Sequence, residues 1–253
     1  WTMFTKRYMQ SRLTGTTDFT QVKKKVFSKV VQYISPQFQY FENGHIGIAE
    51  FIDSLLFKFE RYTLKGGDQI VGHYNGIPFQ SCNLMVTFRP NMRNEKEGDD
   101  VVFYGNFFVA RSPKTFEHPI VVRPVKGFFS DFNDNAISTY LNYGGERIRL
   151  EDPEFEKQFE VYCDDQVTAR YVLTPAFMQR LKKLNERHKG QVYFGINKNN
   201  IVIATNEGNS LMTVGSSPAA MLFQKIDLPM VESVYRELVE QLQMIDTLKL
   251  VDN

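Results

Sequence analysis

The sequence predicts an α+β fold: a largely antiparallel sheet with packed helices, including one N-terminal and one C-terminal helix. Three observations predict it. Apolar residues recur at helical spacing near both ends of the chain, strand-like alternation fills the middle, and the helices and strands do not alternate regularly as in a doubly wound sheet. A length of 253 residues suffices for one large core or two small ones. The 22 phenylalanines and 12 tyrosines concentrate in the strand-like runs, where aromatic side chains suit a pleated, half-buried surface.

Asp18 followed by Gln21 resembles a capping box, and Val22, Val26, Val30 and Val31 then share a stripe, so a first helix is expected over 19–34, stopped by Ser35 and Pro36. Ile48, Phe51, Ile52, Leu55 and Leu56 predict a second helix over 48–60, with Gly66 and Gly67 ending that region. Asn75-Gly76 between alternating arms reads as a hairpin with a type I′ turn, and Pro78 places its second arm at a sheet edge. The apolar run 101–110 is a central strand, preceded by a polar loop over 90–100. Strands at 119–124 and 146–150 flank an irregular excursion with a helical turn around 134–141. Asp152-Pro153 starts a short helix, 159–162 extends, and Asp165 caps another turn. Thr174-Pro175 opens a helix to His188, with Gly190 just beyond. Residues 191–197 and 200–205 read as a hairpin around Lys198 and Asn199, and Asp227 with Pro229 starts a terminal helix to Leu248, whose face is Val231, Val234, Tyr235, Leu238, Leu242 and Ile245.

Charge and composition narrow the function classes. A formal net charge of +1 gives no reason to expect a polyanionic partner across the whole surface, so no nucleic-acid partner is expected. Cys82 and Cys163 lack the paired spacing of a zinc site, and His45, His73, His118 and His188 are scattered, so neither a metal nor another cofactor is expected. No serine elbow, phosphate-binding glycine loop or dinucleotide fingerprint is present, and no catalytic residue is assigned. No apolar run is long enough to span a bilayer.

The first thirty residues carry Lys6, Arg7, Arg12, Lys23, Lys24, Lys25 and Lys29 against Asp18 alone, after an opening Trp1. Tryptophan followed by clustered basic residues fits the cytoplasmic flank of a membrane helix, but on these residues alone a solvated amphipathic helix with a lysine-rich face is the more ordinary reading. The expected organisation is a basic helical segment over 1–65, following an upstream membrane anchor, and an α+β domain over 66–253 that forms one body with it. Full-length protein is then expected at the membrane with this domain in the cytoplasm, meeting a protein partner or a lipid surface through the basic helix.

Carboxylates gather most densely in residues 150–175, where Glu151, Asp152, Glu154, Glu156, Glu160, Asp164 and Asp165 surround Lys157. Glu151, Asp165 and Arg170 are the candidate ligand-binding residues, because a guanidinium beside carboxylates can clamp an anion or rigidify a corner. Arg123, Arg147 and Arg149 join them if their strands are neighbours. The competing reading is structural, with Asp152 and Asp165 as helix caps.

The string RIRLEDPEFEKQFEVYCDDQVTARYVLTPAFMQRL at 147–181 resembles the signature of a bacterial family known only as a domain of unknown function, DUF3137. The segments IVGHYNGIPF at 70–79 and FYGNFFVARSPKTF at 103–116 are similar to that family's glycine, tyrosine, proline and phenylalanine pattern. The resemblance implies two membrane helices upstream of a domain like this one, and it implies no activity and no catalytic residues. Two functions therefore stand: a non-enzymatic, membrane-anchored module that binds a protein partner or a lipid headgroup, or a small-ligand sensor or enzyme using the corner from Glu151 to Arg170.

Overall fold

A computed structural model of the chain describes residues 21, 23–57, 62–88, 100–125, 145–206 and 228–248. Helix α1 covers 23–34, followed by strand β1 (Gln39–Phe41) and helix α2 (Ile48–Asp53). Strands β2 (Tyr62–Tyr74), β3 (Ile77–Phe88), β4 (Asp100–Pro124) and β5 (Glu146–Ile148) come next, then helix α3 (Pro153–Glu156), strand β6 (Phe159–Cys163), helices α4 (Gln166–Val172) and α5 (Pro175–Arg187), strand β7 (Val192–Asn206) and helix α6 (Leu228–Thr247). The seven strands form one sheet in the order β1-β2-β3-β4-β6-β5, with β7 also paired to β4, and every pairing is antiparallel. The fold is α+β with a largely antiparallel sheet and helices at both ends.

Two cores lie on opposite faces of this sheet, because successive strand residues point to opposite sides. Phe79, Phe108, Val122, Val161, Phe194 and Ile203 face α1, α4, α5 and α6, which contribute Phe27, Val31, Ala169, Phe177, Leu181, Leu238 and Leu242. On the other face Leu84, Phe103, Phe107, Tyr193 and Val202 meet Ile46, Phe51, Leu56 and Phe57 from the segment around α2.

Several elements differ from the sequence reading. In α1 the buried residues are Phe27 and Val31, while Val26 and Val30 are half-buried, so phenylalanine displaces the valine stripe. Helix α2 stops after six residues, since Ser54 Oγ bonds back to the Phe51 carbonyl and Leu55 takes a left-handed φ of 57°; that turn drives Leu56 and Phe57 into the core and leaves Ile48 and Ile52 at 43% and 44% exposure. Gly66 and Gly67 lie inside β2, at a register shift, because the strand begins at Tyr62. The hairpin at Asn75 and Gly76 has both residues at positive φ, as its turn type requires. Pro78 is not at a sheet edge: β3 lies between β2 and β4, and the proline sits beside the turn, opposite His73.

The stretches 101–110 and 119–124 are parts of one 25-residue strand, β4, bent by register shifts. Likewise 191–206 is no hairpin. Strand β7 runs straight past Lys198 and stays paired to β4 from Phe194 to Asn206; Lys198, at φ 55°, faces the place where β4 carries its extra residues between Arg111 and Phe116. A bulge and a turn both use polar residues and left-handed backbone, so local sequence does not separate them. On α6 Tyr235 is 40% exposed, and Gln241 and Met244 join the buried face. The expected helical turn at 134–141, the start at Asp227 and the loop over 90–99 lie outside the described residues. No described helix is long and apolar enough to cross a membrane.

Candidate functional site

The acidic segment is built from helix caps. Asp152 accepts the backbone N–H groups of Glu154 and Phe155, both at 3.0 Å, and meets Lys182 Nζ at 2.8 Å. The Lys182 hydrogen bond and then the Phe155 N–H hold its carboxyl below the usual range. Asp165 accepts Thr168 Oγ1 at 2.6 Å and Thr168 N at 2.7 Å, and the threonine hydroxyl leads in lowering its pKa. Arg170 is exposed on α4 and donates to Gln166 Oε1 at 2.9 Å, one turn back. Glu151 is exposed ahead of α3. Among the described residues no hydrogen bond or ion pair joins Glu151, Asp165 and Arg170 to one another.

Strands β4, β5 and β6 are neighbours, and they bring two other arginines together on the sheet face that also carries α2, opposite α1, α4, α5 and α6. Arg123 Nε donates to Glu160 Oε2 at 2.9 Å, Arg147 meets Glu160 Oε1 at 3.2 Å, and Arg123 also donates to the Tyr162 hydroxyl at 2.7 Å. Burial would raise the Glu160 pKa, but the Arg123 hydrogen bond and charge outweigh it and hold the carboxyl low. Glu160 thus acts as counterion to two guanidinium groups, one of which, Arg147, is 44% exposed. Arg170 sits apart from them on α4.

A second polar system, unforeseen from the sequence, crosses the helix-side face. Asp68, buried and at φ 57° in the β2 bulge, accepts Tyr40 Oη at 2.5 Å and Lys23 Nζ at 2.8 Å. From it a chain runs through Asn83 and Asn106 to Gln241 on α6, whose Nε2 donates to Asn106 Oδ1 at 2.8 Å; Ser81 donates to the same oxygen at 3.1 Å. Burial first, and the Asp68 charge second, push the Tyr40 phenol far above its ordinary pKa. These groups satisfy one another, so the system ties α1 and α6 to the sheet. Local sequence carried no sign of it; the left-handed backbone of Asp68 after Gly66-Gly67 is visible only in the structure.

Among the described residues two further surfaces carry charge that could meet a ligand. On α1, Lys25, Lys29 and Tyr33 fall four residues apart on one exposed stripe, with Lys24 beside them, and the Tyr33 ring stands 6.4 Å from that of Tyr235 on α6. Between α5 and α6 lies a cleft of about 580 Å³ lined by Arg180, Lys183 and Arg187.

The family model described as Protein of unknown function (DUF3137) matches residues 101–250, more than half of the chain. The chain belongs to the DUF3137 family. In this DUF3137 protein the matched span holds β4, both arginines of the Glu160 cluster and the α5–α6 cleft, while α1 and the Asp68 bulge precede it. No curated protein matches the sequence. One solved structure, that of the mycobacterial trehalose monomycolate transport factor A, TtfA, is similar over 90% of this chain and 96% of that one, at 8% identity and a TM-score of 0.44.

Proposed function

We propose that this DUF3137 chain is a non-enzymatic binding domain of a membrane-anchored bacterial protein, facing the cytoplasm and resting on anionic lipid headgroups through α1. The observation that carries the reading is the stripe of Lys25, Lys29 and Tyr33, extended by Tyr235. Lysines place ammonium groups at headgroup level over an aliphatic stem, and tyrosine favours the same interfacial depth. Tyr33 at 82% and Tyr235 at 40% exposure supply apolar rings beside the charge. Each lysine near an anionic surface contributes about 1 kcal/mol, so Lys25 and Lys29 with the neighbouring Lys24 give an affinity that is readily measured and screened by salt. The anchor and the cytoplasmic side belong to the same proposal, since the basic flank is what a cytoplasmic juxtamembrane segment carries, and the bacterial origin rests on the family resemblance alone. Nothing in the geometry favours the alternative of a sensor or enzyme at Glu151, Asp165 and Arg170.

Vesicle sedimentation tests the reading. The protein is expected to bind vesicles rich in phosphatidylserine, to release them as salt rises, and to ignore pure phosphatidylcholine. Replacing Lys25 and Lys29 together by Glu should cut partitioning at least about tenfold. Equal binding to both vesicle types, or a double variant that binds as well as the parent, refutes the proposal and turns the question to a protein partner.

A further inference from the structure

We infer that the cleft between α5 and α6 is a binding site for an organic phosphate, a phosphomonoester dianion carrying an apolar body. Arg180, Lys183 and Arg187 recur three and four residues apart along α5, the spacing that puts side chains on one helix face. Such a row is ordinarily a solvated surface. Here α6 forms a second wall, and the buried Leu184 and Met244 form an apolar floor, so the cations line a concavity. Its volume of about 580 Å³ lies in the range of small-ligand sites.

The charge in the cleft is unbalanced. Arg187 is ion-paired to Glu240, the one carboxylate of the lining. Arg180 reaches only the neutral amide of Gln243, at 3.5 Å, and Lys183 meets no carboxylate among the described residues. Asp246, one turn further along α6, is hydrogen-bonded by the neutral donors Tyr74 and Asn75 of the β2–β3 turn, each at 2.8 Å, and keeps its charge beside the cleft. Three cations against Glu240 in the lining and Asp246 next to it leave the cleft net positive, which favours a phosphomonoester, an anion at neutral pH. A guanidinium and an ammonium on adjacent turns suit the oxygens of a phosphate, and the Leu184–Met244 floor suits the apolar group esterified to it. This site is separate from the lipid-facing stripe of α1 and stands or falls independently of it.

Calorimetric titration with phenyl phosphate, inorganic phosphate and short-chain phosphatidic acid, followed by amide chemical-shift mapping, tests the inference. Phenyl phosphate is expected to saturate one site, to shift amides of α5 and α6, and to bind several-fold more tightly than inorganic phosphate. Arg180→Gln and Lys183→Gln, both at exposed positions, should each weaken it about tenfold with the melting temperature unchanged, while Lys65→Gln on β2 should have no effect. Short-chain phosphatidic acid binding more tightly than phenyl phosphate assigns the phosphate to a lipid; weaker binding assigns it to a soluble ester. Absence of saturable binding by all three, shifts mapping away from α5 and α6, or full affinity in the Arg180→Gln, Lys183→Gln double variant overturns it. Lost vesicle binding with phenyl phosphate binding intact would instead remove only the α1 reading.

Discussion

Asp68 shows how one residue fastens two elements. Its left-handed backbone is compatible with Asp or Asn, and its carboxylate collects the Tyr40 hydroxyl and the Lys23 ammonium in a nearly dry setting, with side-chain exposures of 7% for Asp68 and 11% for Lys23. Asp68→Asn keeps shape and backbone preference but removes the charge that pairs with the Lys23 ammonium, a loss of about 3 kcal/mol at buried pairs. The expected outcome is a clear drop in the urea midpoint, with part of it regained when Lys23→Met is added, because the partly buried ammonium that lost the Asp68 charge goes with it. A double variant no more stable than Asp68→Asn would show that the ion pair is not what the carboxylate contributes. None of this pairing was legible from residue type: Lys23 read as one basic residue among seven, and Asp68 carried no signal of its own.

At the scale of elements, the helices with N-cap side chains followed their local signals. Asp152 and Asp165 cap α3 and α4, and Thr174 caps α5 through Phe177 N at 3.3 Å, so those starts were visible in short stretches of chain. Strands were harder, since their limits depend on partners distant in sequence. Gly66 read as the end of a helical region, yet it lies in β2 opposite Leu84, where a Cβ would come within 2.6 Å of the Asn83 carbonyl oxygen and 2.8 Å of His45 Cβ. Gly66→Ala must therefore push β3 or the segment before β2 aside. A loss of roughly 1–3 kcal/mol by urea unfolding is expected, the usual range for overpacking. An unchanged midpoint would mean that β2 and β3 do not approach this closely.

For the whole molecule, stability at low pH follows from the carboxylates that the fold holds ionised. Asp152, Asp165 and Glu160 have folded pKa values lowered from ordinary values of 3.8, 3.8 and 4.5. A lowered folded pKa adds stability that is complete above the ordinary value and disappears as pH falls through the folded one. The denaturant midpoint should accordingly hold steady from neutrality to about pH 5 and decline below it. Glu160→Gln should make that decline shallower; an identical acid profile in the variant would remove Glu160 from the account. By itself the sequence determined the fold class, the β2–β3 turn, the three capped helix starts and the charge of α1, because each is encoded by residues close together along the chain. Tertiary structure alone decided that β4 and β7 are each one continuous strand, that Arg123 and Arg147 rather than Arg170 meet at Glu160, and that the cations of α5 face a cleft closed by α6. Those outcomes depend on register and on which faces meet, and both are set by packing between segments up to a hundred residues or more apart.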